Sequence, residues 1–168
     1  MAGGVELYLV RHAIAAARGP EWPDDDVRPL TARGISSFTK AVEGLAALDV
    51  VVDEVLTSPL VRARQTADLL ASGLAGHPPV RVLQALAPGS ALARVMEQVA
   101  GAARGRRIAL VGHEPDLGEL AAFLIGARHA IPFKKGGVCR IDVETMASGA
   151  QGTLVWLATP RILRRLAT

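Results

Sequence analysis

The sequence has little of what several classes of protein require. Cys139 is its single cysteine, which excludes an internal disulfide and a cluster of thiolate metal ligands. Aromatic residues make up 4% of the chain and the basic residues are spread along it, so neither base stacking nor a basic arm favours nucleic-acid binding. No apolar stretch approaches the roughly 20 uncharged residues of a membrane-spanning helix, and the N-terminus lacks a signal-peptide pattern. We expect a cytoplasmic protein that binds neither nucleic acid nor membrane.

Motifs for cofactors are missing as well. The four histidines do not have metal-ligand spacing, and the chain contains neither a phosphate-binding P-loop nor a G-x-G-x-x-G motif. We therefore expect no metal and no cofactor. What is present is a chain of 168 residues, half of them hydrophobic and 21% charged, which predicts one globular domain over residues 1–168. The net charge of +3 and the pI of 9.6 favour a basic pocket for a phosphorylated substrate.

Apolar runs alternate with helical patterns along the whole chain. Strands are predicted over residues 7–10, 51–56, 80–83, 107–111, 138–143 and 153–158, with a turn at 149–152 between the last two. Helices are predicted over 31–48, from 59 to 74, over 90–103 and from 115 to 126, with Thr31 and Ser90 as N-caps. This order predicts a three-layer α/β sandwich whose central sheet is mainly parallel, with an antiparallel edge and helices on both faces.

Polar residues follow three of these strands directly. Arg11-His12, Thr57-Ser58 and Gly112-His113 each come where a predicted strand ends. Ligands of open α/β sheets bind beyond the carboxyl ends of the strands, so these residues are expected to converge although they are distant in sequence.

Two histidines and several arginines at one edge suit a phosphate dianion. A neutral imidazole nitrogen can attack phosphorus and form a covalent phosphohistidine, while guanidinium groups bind the phosphoryl oxygens. His12 and Arg11 are candidates for these roles, and Arg62 lies in the first turn of a helix, where the helix N-terminus favours an anion. Taken singly, Arg11 is equally well explained by a surface salt bridge and His12 by a structural hydrogen bond. Together with His113 they favour a phosphoryl-transfer site.

The segments LYLVRHA, TSPLVRARQTADLL and LVGHEPDLGELAAFLIG resemble, in order and spacing, the histidine phosphatase superfamily with its Arg-His-Gly signature. The short chain and the segment DDDVRPLTARG resemble the SixA-type bacterial phosphohistidine phosphatases in particular. The resemblance implies a phosphoglycerate mutase-like fold, with His12 as the phosphorylated nucleophile. It also implies that Arg11, Arg62 and His113 contact the phosphoryl group. Arg28 matches a further pocket arginine, although pairing with Asp24 to Asp26 explains it as well.

The chain departs from the family pattern at two points. Ala13 replaces the signature glycine, which is tolerated unless the backbone there needs a positive φ. No Asp or Glu lies in residues 76–90, where larger relatives carry a general acid. Asp25 is the candidate acid by its spacing to Arg28, with a solvated acidic turn as the alternative, and Glu114 is better explained by the helix dipole.

The sequence offers few carboxylic acids that could protonate a leaving group. This favours a substrate whose leaving group needs little protonation. We therefore expect hydrolysis of phosphohistidine on a partner protein, catalysed by a monomer through a phosphorylated His12. The alternatives are a broad phosphomonoesterase that acts on a small phosphorylated substrate and a non-catalytic phosphate-binding module.

Overall fold

One mixed sheet with helices on both faces organises the chain. The computed structural model describes residues 4–146 and 151–167, and these form a six-stranded sheet of order β3-β2-β4-β1-β5-β6. The strands are β1 (Val5–Arg11), β2 (Glu54–Thr57), β3 (Val80–Val82), β4 (Arg107–Gly112), β5 (Val138–Val143) and β6 (Gly152–Ala158). The helices are α1 (Ala32–Ala47), α2 (Val61–Gly73), α3 (Leu92–Ala102), α4 (Asp116–Ile125) and α5 (Pro160–Leu166), with short 3-10 helices at Asp25–Val27 and Gln84–Leu86.

The direction of the strands follows from their connections. β1, β4, β2 and β3 are parallel neighbours, because helices cross over between them. β5 and β6 follow one another closely and add antiparallel pairs beside β1. The predicted sandwich with a mainly parallel sheet and an antiparallel edge is confirmed. The turn predicted at 149–152 begins outside the described residues.

Alternation along β1 separates two hydrophobic layers. Tyr8 and Val10 point into the layer under α1, α2 and α5, whereas Leu7 and Leu9 point into the layer under α3 and α4. Successive side chains of a strand face opposite sides of the sheet, so a strand that is apolar throughout must be covered on both faces. The run LYLV in the sequence therefore dictates the three layers.

The helix boundaries agree with the predictions except at one cap. Thr31 caps α1, its Oγ1 accepting the Gly34 N–H at 2.9 Å, and Gly126 ends α4 with a φ of 69°. The predicted cap at Ser90 is wrong: α3 begins two residues later, and the Ser90 hydroxyl donates to the Ala87 carbonyl instead. No helix within the described residues has the length and apolar character needed to cross a membrane.

Strand β2 is shorter than predicted, and helix α5 was not predicted. β2 begins at Glu54 instead of residue 51, because the Asp53 carboxylate accepts the backbone N–H groups of Arg106 and Arg107 just before the strand. α5 packs against α1 and places Leu163 in the layer that α1 covers.

The loop after β1 is fixed on the start of α1. The Ile14 carbonyl accepts the Thr31 N–H at 3.0 Å, and a Cβ on Gly34 would lie 2.1 Å from that carbonyl oxygen. Only glycine permits this close approach. The contact holds the chain that leaves β1 directly beside the carboxyl edge of the sheet.

Candidate active site

The three predicted strand ends meet at the carboxyl edge of the sheet. In the β1–β4 pair Arg11 stands opposite Gly112, and in the β2–β4 pair Thr57 stands opposite Val111. The residues that follow these strands line one cavity of about 500 Å³. Its charged and titratable lining residues are Arg11, His12, Arg18, Asp25, Arg28, Arg62, His113, Glu114 and Lys135. All six residues predicted for the site are therefore brought together, and the excess of basic groups makes the cavity suitable for an anion.

The His12 ring is held so that one nitrogen stays available. Its Nδ1 lies 2.7 Å from the Ala13 carbonyl oxygen, and a carbonyl only accepts, so Nδ1 carries the proton and Nε2 keeps its lone pair. The side chain is 6% exposed. Burial, together with the positive charges of Arg62, Arg11 and Lys135, lowers the pKa of His12 from 6.5 to about 4. The ring is therefore neutral at pH 7, as a nucleophile must be.

His113 faces His12 across the cavity, with ring centroids 5.2 Å apart. Its Nε2 is hydrogen-bonded to Ser58 Oγ at 2.7 Å, and the same hydroxyl accepts the Leu60 N–H. Burial and the nearby charges of His12 and Arg62 lower the pKa of His113 to about 3. Ser58 thus serves the turn ahead of α2 and the second histidine at once.

Two arginines bring unsatisfied donors to the cavity. Arg11 NH1 donates to the Phe133 carbonyl at 2.6 Å, and Arg62 is 3% exposed. The Nε atoms of both residues are buried without a hydrogen-bond partner among the described residues. Buried donors without partners are costly in a folded protein and mark places where a ligand supplies the acceptor. An oxyanion with several oxygens matches this pair.

The loop after β1 carries Asp25 and Arg28 into the same cavity. Arg28 is 7% exposed, and its Nε and NH1 donate to Asp25 Oδ1 and to the Ala16 carbonyl. Both explanations offered for Arg28 therefore apply, since it lines the cavity and is paired with an acidic loop residue. Burial disfavours the Asp25 carboxylate, but the hydrogen bond from Arg28 and the charge of Arg62 outweigh it and lower the Asp25 pKa.

Several residues that were not predicted for the site line the cavity or support it, among them Arg18. Thr66 Oγ1 accepts the Ala13 N–H at 3.0 Å and fixes the turn after His12. Ala13 has no positive φ among the described residues, so the signature glycine is not needed there. Lys135 is exposed and also lines the cavity. Glu114 lines it too, although its Oε1 accepts the Gly118 N–H in the first turn of α4, as the helix-dipole explanation requires.

The fold and the cavity define an α/β protein with a basic cavity that contains two histidines at the carboxyl end of a parallel sheet. A model of the histidine phosphatase superfamily (branch 1) matches residues 7–87. An uncharacterized Picosynechococcus protein is 41% identical over 165 residues, covering 95% of this chain and 99% of its own. The chain belongs to the histidine phosphatase superfamily, whose members are phosphatases.

Within this superfamily the chain is similar to SixA. The phosphohistidine phosphatase SixA of Escherichia coli is 25% identical over 158 residues, which cover 93% of this chain and 94% of SixA. The structure of a protein histidine phosphatase SixA complexed with tungstate superposes with a TM-score of 0.80 at 25% identity. That match covers 93% of this chain and 97% of the other.

The two buried histidines predict a loss of stability in mild acid. Their folded-state pKa values of about 4 and about 3 lie below the unfolded value of 6.5. As the pH falls below 6.5 the unfolded chain binds protons that the folded chain does not, so the free energy of unfolding decreases toward pH 4. For His12 alone this amounts to about 3 kcal/mol at pH 4, at 1.36 kcal/mol per pKa unit.

Urea unfolding between pH 7 and pH 4 measures this slope. We expect His113→Asn to make the slope clearly shallower, because that variant removes one of the two suppressed titrations. His129→Asn is the matched control, since His129 is exposed, and it should leave the slope unchanged. An equal slope in all three proteins would show that His113 titrates normally in the folded state.

Proposed function

We propose that the protein hydrolyses phosphohistidine on a partner protein through a covalent phosphohistidine at His12. The observation that carries the proposal is the state of His12. Its Nδ1 proton is engaged by the Ala13 carbonyl, which leaves the lone pair on Nε2, and the residue lines a cavity that arginines also line. A neutral nitrogen with a free lone pair, next to groups that neutralise a dianion, is what attack on phosphorus requires.

In this proposal the phosphoryl group lies between Arg11 and Arg62. Their unpaired Nε–H groups donate to two of its oxygens, and the guanidinium charges stabilise the additional charge of the transition state. Arg28, within the same cavity, adds a further positive charge. The N-terminus of α2, which begins at Val61, also favours an anion at this place.

His113 supplies one more hydrogen bond to the phosphoryl group. In the productive tautomer the Ser58 hydroxyl donates to His113 Nε2, while its oxygen accepts the Leu60 N–H. The ring proton then lies on Nδ1, where it is available to a phosphoryl oxygen. Ser58 therefore acts as a positioning residue for His113.

The state of the carboxyl groups in the cavity restricts which leaving group can be released from the substrate. Asp25 is ionised in the free protein because arginines surround it, and Glu114 is bound to the backbone of α4. A departing alkoxide would need a strong proton donor, whereas a departing imidazole needs less assistance. This difference supports a P–N bond as the bond that is broken.

The comparison with SixA supports a protein-borne phosphohistidine as the substrate. The two chains match over 93% of this chain and 94% of SixA, so the similarity extends over nearly the whole of both chains. In the first step Nε2 of His12 forms a bond to phosphorus and the substrate P–N bond breaks. The electron pair of the broken bond stays on the leaving nitrogen of the substrate, which takes up a proton. Water then attacks the phosphorylated His12 and releases phosphate.

A broad small-molecule phosphomonoesterase is the second candidate, since a cavity of about 500 Å³ can hold a small phosphate ester. The two candidates differ in their dependence on the leaving group. We expect turnover of phosphoimidazole and of a histidine-phosphorylated protein, and slower turnover of p-nitrophenyl phosphate. An alkyl ester such as phosphoserine should be slower than the P–N substrates by about a hundredfold or more, the usual contribution of a general acid.

Values of kcat/KM for these four substrates, measured with one enzyme preparation, decide between the candidates. Equal or faster turnover of the alkyl ester would favour the phosphomonoesterase. Binding of inorganic phosphate without turnover of any substrate would indicate a non-catalytic phosphate-binding module.

A further inference from the structure

Asp25 binds the same arginines that the proposed function places around the phosphoryl group. Arg62 NH1 donates to the Asp25 backbone carbonyl at 2.7 Å, and Arg62 NH2 donates to Asp25 Oδ2 at 2.8 Å. Asp25 Oδ1 accepts from Arg28 Nε at 2.9 Å and lies 3.2 Å from Arg18 Nε. In the free protein the arginine cluster thus already holds one anion, which belongs to the chain itself.

The Asp25 carboxylate cannot leave this cluster easily. Its residue begins the 3-10 helix Asp25–Val27, whose first turn is capped by the Asp24 side chain on the Asp26 N–H. The Arg28 N–H and Arg62 NH1 both donate to the Asp25 carbonyl oxygen. The Asp25 backbone is therefore held both by the capped 3-10 helix and by the hydrogen bonds to its carbonyl oxygen. As a result, the carboxyl group stays beside any dianion that binds Arg62.

We propose that Asp25 takes up a proton when a phosphoryl dianion binds, and that this proton then goes to the leaving nitrogen of the substrate. The proposal rests on the proposed function, because it assumes that the dianion binds at Arg62. Two anions that share one cluster of arginines repel each other, and protonation of the Asp25 carboxylate relieves this repulsion.

The proton cycle balances over one turnover. When the substrate P–N bond breaks, its electron pair stays on the leaving nitrogen, which takes the proton from the Asp25 carboxyl group. The attacking water then gives a proton back to the Asp25 carboxylate while its oxygen bonds to phosphorus and the bond to His12 Nε2 breaks. When phosphate leaves, Asp25 loses the proton to solvent and pairs again with Arg28 and Arg62.

Other groups around Asp25 also bear on proton uptake. The arginines at positions 18, 28 and 62 contact it, and Arg11 and Lys135 add positive charge to the same cavity. His12, His113 and Glu114 line the cavity and can also bind a proton beside a dianion. The measurement must therefore separate the proton on Asp25 from a proton on these three groups.

Calorimetric titration with tungstate, repeated near neutral pH in buffers of different ionisation enthalpy, counts protons taken up on binding. Tungstate is a suitable probe because it is a tetrahedral dianion that binds no proton of its own at this pH. We expect the wild-type protein to take up a substantial fraction of one proton and Asp25→Asn to take up nearly none. Asp25→Asn should also bind tungstate about tenfold more tightly or better, since a competing charge is removed.

Asp26→Asn is the matched control, because Asp26 belongs to the same 3-10 helix, is exposed and loses the same charge. It should keep the wild-type proton uptake and change tungstate affinity by less than about twofold. Proton uptake that persists in Asp25→Asn would place the proton on His12, His113 or Glu114 and overturn the proposal. Tungstate binding without proton uptake in the wild type would overturn it too, while leaving the proposed function intact. A failure to bind tungstate at all would overturn both.

Discussion

His12→Ala is expected to lower kcat/KM for phosphoimidazole by at least about a thousandfold, because the variant lacks the nitrogen that bonds to phosphorus. The effect should fall mainly on kcat, since Arg11, Arg28 and Arg62 remain to bind the phosphoryl group. The structure supports an intact fold in the variant, because the turn after His12 is held by the Thr66 hydroxyl on the Ala13 N–H and not by the imidazole alone.

Detection of the covalent intermediate makes this experiment specific. Rapid quenching under alkaline conditions, where phosphohistidine survives, followed by peptide mass spectrometry should place phosphate on His12 in the wild type and on no residue in His12→Ala. His129→Ala, which alters an exposed histidine, should retain both activity and the intermediate. A phosphorylated His113 in place of His12 would contradict the assignment of the nucleophile.

The strand ends could be predicted from the sequence because their physical causes are local. LYLV and IALVG are apolar runs followed at once by a histidine, with an arginine before it in the first case. Such runs bury both faces of a strand in a parallel sheet. Ligands of these sheets lie beyond the carboxyl ends of the strands. The proximity of Arg11, His12 and His113 could therefore be predicted from the sequence alone.

The contacts made by the long loop could not be predicted in the same way. Asp25 reaches Arg62 from 37 residues away in sequence. Its spacing to Arg28 singles it out from the other two aspartates of the DDD run, but nothing in that run predicts the contact with Arg62. This contact depends on the 3-10 helix and on where Arg28 is held by the Ala16 carbonyl. These are tertiary contacts, which a local sequence pattern does not predict.

The position of Lys135 was not predicted, and the N-cap at Ser90 was misjudged. The loop before β5 folds back so that the Gly136 N–H reaches the His12 and Arg11 carbonyls, which brings the exposed Lys135 to the cavity. Ser90 fits the composition of an N-cap, but its hydroxyl donates to the Ala87 carbonyl at 3.1 Å instead. In both cases a backbone contact that the sequence pattern does not show decides where the side chain lies.

Arg62→Lys is expected to lower kcat/KM by about a hundredfold or more, comparable with the loss of one preorganised donor in an anion-stabilising site. Lysine keeps the charge but replaces five donors in a fixed plane by one ammonium group. In the structure that plane is used in two ways, because NH1 and NH2 hold Asp25 while Nε is left for a phosphoryl oxygen. The variant therefore weakens the phosphoryl contact and the anchoring of the loop together.

Arg64→Lys is the control for this substitution, since Arg64 lies on the same helix and is exposed, and its activity should match the wild type. Tungstate affinity separates the two consequences of Arg62→Lys. A loss of affinity in parallel with activity supports direct contact with the phosphoryl group. If Arg62→Lys retained activity within about threefold, a point charge would suffice, and the planar fork would have no role in catalysis. Because Arg62 is 3% exposed and engaged by Asp25, the geometry favours the larger loss.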